Sequence, residues 1–75
     1  MDKKIEIIKS KIKGGGVYRE KVYDDEPGCG HRRVEIKKIA KHFKELGYFA
    51  MVQKSTTKKG VKVYTLVIKL QKRGG

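Results

Sequence analysis

One segment of the sequence repeats its apolar residues at the period of an α-helix, and this limits the folds open to the chain. Between residues 32 and 46 the apolar positions recur every three or four residues: Ile36, Ile39, Ala40, Phe43 and Leu46. Such residues share one side of a helix and form a stripe that another layer must cover. Gly47 follows, and glycine readily takes the left-handed conformation after a helix end. The pattern predicts an amphipathic helix over residues 32–46, packed on a second layer.

The segment after Gly47 has the composition of β-strands. Residues 48–54 and 61–72 are rich in β-branched and aromatic side chains, and the turn-forming stretch STTKKG separates them. A β-hairpin is therefore predicted. In its second strand both alternating faces are apolar: Tyr64, Leu66, Ile68 and Leu70 on one, Val61, Val63, Thr65 and Val67 on the other. Such a strand belongs in the centre of a sheet, or a dimer partner covers its second face.

The first third of the chain has two interpretations. Ile5, Ile8 and Ile12 fit one stripe of a short helix that ends at Gly14. Together with Ile7, they also fit a strand whose alternation slips by one residue, as it does at a β-bulge. The strand is the interpretation we prefer, by a narrow margin.

Residues 17–23 are predicted to form a strand, and the glycine run at 14–16 suits a turn between two strands. We therefore expect an α+β fold of order β-β-α-β-β, in which one amphipathic helix packs on a mainly antiparallel four-stranded sheet. The alternative order is α-β-α-β-β.

The 75 residues are enough for a single small domain with a thin hydrophobic core. The longest apolar run is far shorter than the about 20 residues of a membrane helix, and the lysine-rich start lacks the apolar region of a signal peptide. The single cysteine cannot form an internal disulfide, which fits a reducing compartment. We expect a cytoplasmic protein. The absence of asparagine and the abundance of Lys, Glu, Ile and Val are typical of hyperthermophile proteins.

The net charge is the strongest indication of function. Twenty Lys and Arg residues stand against eight Asp and Glu residues, which leaves a formal charge of +12. An excess of this size favours polyanionic partners. We therefore expect a nucleic-acid-binding protein, with DNA favoured over RNA. Lysine far outnumbers arginine, which indicates contacts with backbone phosphates rather than bidentate reading of bases.

The stretch GCGHRR, residues 28–33, raises the question of a catalytic or metal site. Cys29, His31 and His42 do not have the paired spacing of zinc ligands. Glu35 stands where a cysteine-dependent phosphatase loop would need its arginine, and no acidic residue is spaced to orient His31. We expect no catalysis, no cofactor and no metal.

Arg32 and Arg33 have two possible roles. Positive side chains at a helix start oppose the helix dipole unless an anion lies between them. Backbone N–H groups at that end, with glycines nearby, can bind a phosphate. In the alternative, both arginines pair with Asp24, Asp25 or Glu26 just upstream.

The remaining candidate residues are clustered lysines. A row on the polar face of the predicted helix repels itself unless phosphates lie along it, and a second cluster occupies the hairpin tip. A third, at Lys9, Lys11 and Lys13, is left out of the predicted site. A basic helix beside a basic hairpin tip resembles the arrangement in winged-helix proteins, although the helix-turn-helix pair of that family is absent. The predicted interface contains Arg32, Arg33, Lys37, Lys38, Lys41, Lys44, Lys58, Lys59 and Lys62.

Two further features bear on partners. The four tyrosines could stack on bases if they faced outward from a sheet, although half-buried strand tyrosines are the more common case. A homodimer is expected, because it would cover the second face of the last strand and enlarge the thin core.

The C-terminal Gly74–Gly75 suggests a different class of function. It resembles the diglycine of ubiquitin-like modifiers, whose order of elements is also β-β-α-β-β. The alternative function is therefore a protein-interaction module, either such a modifier or a small inhibitor of an acidic partner.

Overall fold

The computed structural model describes residues 2–70, which form two helices and three strands. In chain order these are α1 (Asp2–Ile12), β1 (Val17–Tyr23), α2 (Cys29–Glu45), β2 (Phe49–Thr56) and β3 (Lys62–Lys69). The predicted α+β class, with an amphipathic helix packed on an antiparallel sheet, is confirmed. The order is α-β-α-β-β, which is the alternative rather than the preferred interpretation.

The prediction of a first strand was wrong, because burial favours the helix. In α1 the side chains of Ile5, Ile8 and Ile12 are all buried on one side, whereas Ile7 is 54% exposed. A regular strand would have divided these isoleucines between two faces, and only a bulge would have brought them to one face. The helix covers all three and leaves only Ile7 in water. As a result, the sheet has three strands instead of four.

The sheet has the order β1-β3-β2, and β3 pairs antiparallel with both neighbours. The two apolar faces of this strand had predicted a central position, which is confirmed. Ile68 lies opposite Tyr18 of β1 and Ala50 of β2, so these three side chains share one face.

The hydrophobic core lies between the two helices and one face of the sheet. Its fully buried side chains come from α1, α2 and the strands, and the largest are Phe43, Ile8, Ile12, Ile36, Ile39, Leu66, Ile68 and Val22. Both helices therefore cover the same face of the sheet. No helix among residues 2–70 covers the other face.

Helix α2 differs from the predicted helix at both ends. It begins at Cys29, three residues before the predicted start, and Gly28 precedes it in the left-handed conformation at φ 76°. Its predicted stripe is buried at Ile36, Ile39, Ala40 and Phe43. Leu46 was wrongly included, because it follows the last helical residue and is 48% exposed. Gly47 has a φ of 91°, as a left-handed residue after a helix requires.

The predicted hairpin is confirmed, with a turn at residues 57–61. The Thr57 amide donates to the Val61 carbonyl at 2.9 Å, and the Val61 amide donates to the Thr57 hydroxyl at 3.1 Å. Gly60 supplies the positive φ that the turn needs. The part of the predicted second strand beyond residue 70 lies outside the described residues.

Candidate nucleic-acid interface

The outer face of α2 carries the predicted lysine row. Lys37, Lys38, Lys41 and Lys44 are all exposed, on the side of the helix away from its buried residues. None of the four is in an ion pair with another described residue. Val34 and Glu45 are the other exposed side chains near the middle of this face. The row is therefore a strip of cations open to an external partner.

The ion pairs of the described residues involve only three cations, and all of them lie away from this strip. Lys4 of α1 contacts Glu20 of β1 at 2.9 Å and Glu35 of α2 at 2.8 Å. Burial alone would lower the pKa of Lys4, but the hydrogen bonds to Glu35 and Glu20 outweigh it and raise that pKa. This contact ties the two helices and the edge strand together.

Glu20 is the most buried member of this group, with a side chain 12% exposed. Besides Lys4, it accepts a hydrogen bond of 2.6 Å from the Tyr18 hydroxyl. Burial alone would raise the pKa of Glu20, but the hydrogen bonds from Tyr18 and Lys4 and the charge of Arg32 lower it. Burial and the bond to Glu20 raise the pKa of Tyr18 to about 12. Glu20 is therefore held as a carboxylate inside a network of donors.

Arg32 points into the same network. Its guanidinium lies 3.5 Å from Glu20 and 3.4 Å from Glu26, and it donates to the Lys21 carbonyl at 3.3 Å. Arg32 is the fourth residue of α2, and its backbone N–H already donates to the Gly28 carbonyl. Its position one turn into the helix leaves that N–H unavailable to an anion.

Arg33 is also paired within the molecule. It lies 3.8 Å from Asp24 and donates to the Tyr64 hydroxyl at 3.3 Å, with the guanidinium 5.1 Å from the centre of the Tyr64 ring. The hydrogen bond to Tyr64 raises the pKa of Arg33, so its charge is permanent. For both arginines the structure thus contains the internal pairing that was the alternative to a phosphate contact. A phosphate contact by either one stays a prediction.

The hairpin-tip lysines, Lys58, Lys59 and Lys62, are exposed. The Asp24 amide donates to the Lys62 carbonyl at 2.9 Å, which fixes the loop before α2 beside the tip. The tip therefore adjoins the first turns of α2, and the lysine row extends from there towards the other end of the helix. The predicted lysines form two exposed clusters, whereas the two arginines are partly exposed and paired with carboxylates.

The three residues considered as metal ligands are not brought together. The Cys29 thiol is half-buried and lies 3.3 Å from the Asp24 carbonyl oxygen, and His42 packs edge-on against Phe43 at 5.8 Å. His31 is exposed. Residues 2–70 contain no group of three or more His, Cys, Asp or Glu side chains that could hold a metal ion. No helix in that range is long and apolar enough to cross a membrane.

The tyrosines separate into two groups. Tyr18 and Tyr64 lie on the helix-covered side of the sheet, and Tyr48 packs edge-on against Phe43 at 5.1 Å. Tyr23, opposite Val63, faces the uncovered side. Phe49 faces the same side and was not among the predicted site residues. The apolar second face of β3 was the signal in the sequence that this side of the sheet could bind a partner.

No family model, no curated protein and no solved structure matches this chain. The resemblance to ubiquitin-like modifiers loses its topological support, because the first element is a helix and the sheet has three strands. Gly74–Gly75 lies outside the described residues.

Proposed function

We propose that the protein binds nucleic acid, DNA in preference to RNA, mainly through the phosphate backbone and without catalysis. The observation that carries this proposal is the exposed lysine row of α2: Lys37, Lys38, Lys41 and Lys44. Four cations on one helix face repel one another, and a row of phosphates offers each of them a counter-charge.

The distribution of acidic residues supports the same proposal. Asp24, Glu20, Glu26 and Glu35 are all engaged by Lys4, Arg32 or Arg33. Four of the eight carboxylates are thus bound away from the lysine row, which leaves Glu45 as the acidic side chain beside its four cations. Because both α2 arginines are engaged too, the side chains best suited to bidentate base reading already have carboxylate partners within the protein. We infer binding with little sequence specificity, in an organising or regulatory role.

The test is a titration of duplex DNA at several salt concentrations. If four to six lysines contact phosphates, log K falls against log salt with a slope of about −4 to −5. The triple variant Lys37→Gln, Lys41→Gln, Lys44→Gln should lose about three units of this slope and bind at least about tenfold more weakly near 0.1 M salt.

The matched control is Lys9→Gln, Lys11→Gln, Lys13→Gln, which removes the same charge at the end of α1. It should keep most of the affinity and slope, because the contacts are assigned to α2 and the hairpin tip. Equal losses in the two variants would indicate attraction to net charge alone, and a wild-type affinity independent of salt would refute the proposal.

A further inference from the structure

The face of the sheet opposite the helices is the largest part of the described molecule without an assigned role. Strand register places on it Val17, Arg19, Lys21 and Tyr23 of β1, Val63, Thr65, Val67 and Lys69 of β3, and Phe49, Met51, Gln53 and Ser55 of β2. These twelve residues are called the open face below.

The open face has an apolar floor. Val63, Thr65 and Val67 of the central strand are only 5%, 9% and 8% exposed, although no described helix covers them. At one end of the face the rim remains accessible, with Val17 43% and Phe49 36% exposed. A sheet covered on one side ordinarily has a polar outer face. An apolar outer face with a polar rim is typical of a binding surface.

The rim of the open face is basic. Arg19, Lys21 and Lys69 are exposed, and the Lys69 ammonium lies 4.8 Å from the centre of the Phe49 ring. None of the twelve residues is acidic. At the border of the open face, Asp25 lines a shallow pocket together with Tyr23. The charge of this surface therefore calls for an anionic occupant.

A second copy of the chain does not fit this requirement. Stacking two open faces would set Arg19, Lys21 and Lys69 of one copy against the same cations of the other, with no carboxylate on either side. Like charges opposed across an interface cost several kcal/mol. The dimer expected from the sequence would have to use another surface.

Duplex DNA does not fit either, because its backbone presents phosphates and sugars and leaves the exposed Phe49 ring in contact with water. A single strand offers phosphates together with unstacked bases, whose faces are apolar and aromatic. We propose that the open face binds single-stranded nucleic acid. Bases stack on Phe49 and Tyr23, while Arg19, Lys21 and Lys69 contact phosphates.

The positions of the two rings set the path of the strand. Phe49 lies opposite Lys69, and Tyr23 lies opposite Val63, on different edge strands. Six residues of β3 separate the two levels, which is roughly 20 Å at about 3.3 Å per residue. The two rings therefore stack on bases that are not adjacent, and the bound nucleic-acid strand crosses the β-sheet diagonally. The inference shares its ligand class with the proposed function but uses the opposite side of the molecule.

The experiment compares two probes on the same variants. Fluorescence anisotropy measures binding of a labelled oligothymidine of about 15 nucleotides and of a labelled hairpin duplex. Phe49→Leu and Tyr23→Leu keep apolar bulk but remove the ring. Each should weaken single-strand binding about 5- to 150-fold while duplex binding is retained. The conservative Tyr23→Phe should recover the single-strand affinity lost in Tyr23→Leu. The α2 lysine triple variant should show the opposite pattern.

Amide chemical shifts give a readout that does not depend on a variant folding. Oligothymidine should shift residues of the open face, whereas the duplex should shift α2. Single-strand shifts confined to α2, or single-strand affinity unchanged by Phe49→Leu, would overturn this inference while leaving the proposed function intact. No binding of either probe would end both. Sedimentation showing a dimer that Phe49→Leu dissociates, or binding of anionic lipid vesicles that depends on Phe49, would assign the face to another occupant.

Discussion

Glu20 determines where one of the two predicted interface arginines points. It lies on the helix-covered side of β1, where its neighbours in the sheet are apolar. It accepts hydrogen bonds from Tyr18 and Lys4 and forms an ion pair with Arg32. A buried carboxylate without donors would be costly, so the three side chains are drawn towards it. The Arg32 guanidinium points towards Glu20 for this reason, with its side chain still 40% exposed.

Replacing Glu20 by Gln should lower the free energy of unfolding by about 1–3 kcal/mol, because Lys4 and Arg32 lose the negative charge and one acceptor oxygen becomes an NH2 donor. The folded state lowers the pKa of Glu20, so its contribution is present above the unfolded pKa and is lost as the pH falls below about 4. Urea unfolding at neutral and acidic pH measures both effects. Glu45→Gln is the control, since Glu45 is exposed and has no ion pair within the described residues, and it should change little. An unchanged stability in Glu20→Gln would contradict the role assigned to the network.

The double variant Arg32→Gln, Arg33→Gln separates the two roles of the arginines. Because both pair with carboxylates in the structure, the variant should melt at a lower temperature than the wild type. It should lose less duplex affinity than the α2 lysine triple variant. The control Lys3→Gln, Lys13→Gln removes the same charge from exposed positions. A variant of wild-type stability with a hundredfold loss of affinity would restore the phosphate-binding role.

At the scale of elements, the predictable parts were those whose pattern fits one structure. The stripe from Ile36 to Phe43 has the period of a helix, and the β-branched and aromatic residues on either side of STTKKG favour two strands; both were found. The isoleucines of α1 fit both periods equally well. Their burial between β1 and α2 favours the helix over the strand. This burial is a tertiary effect, which cannot be read from the local sequence pattern.

The candidate site was predictable to the same extent. Lysines opposite an apolar stripe must face solvent, so the position of the row followed from the sequence. The direction of Arg32 depends on Glu20, twelve residues away on another element, and on a helix start three residues earlier than predicted. The open face could not be located before the topology placed both helices on the same side.

The connection between α1 and β1 provides a prediction for these elements. A Cβ on Gly16 would lie 2.8 Å from the Lys11 carbonyl oxygen, whereas a Cβ on Gly14 would meet nothing within 4 Å. Gly16→Ala should therefore force the end of α1 away from β1 and cost about 1–3 kcal/mol. Gly14→Ala should be neutral or stabilising by up to about 1 kcal/mol, because it restricts the unfolded chain. Thermal melts of the two variants compare them directly, and equal melting temperatures would show that this close contact does not constrain the fold.

For the whole molecule, the arrangement of layers places cations on two opposite sides. The lysine row lies on the side of α2 away from the sheet, and Arg19, Lys21 and Lys69 lie on the side of the sheet away from α2. The paired charges of Lys4 and Glu20 lie between these two surfaces. A domain built in this way can contact one nucleic-acid segment on each side, which suits the organising role proposed above.

The same distribution predicts how stability depends on salt. With a charge of +12 and ion pairs on only three of the described cations, repulsion between like charges outweighs attraction at the surface. Salt screens exposed charges more than partly buried pairs, so it should weaken the repulsion and leave the Glu20 network nearly intact. The melting temperature should rise by several degrees between about 0.01 and 0.5 M sodium chloride, since about 1 kcal/mol shifts it by about 4–8 °C in a domain of this size. At low salt the α2 lysine triple variant should have a higher melting temperature than the wild type, and its melting temperature should change less as salt is added. A melting temperature that falls as salt is added would show that attractive ion pairs dominate, and the lysine row would then have internal partners.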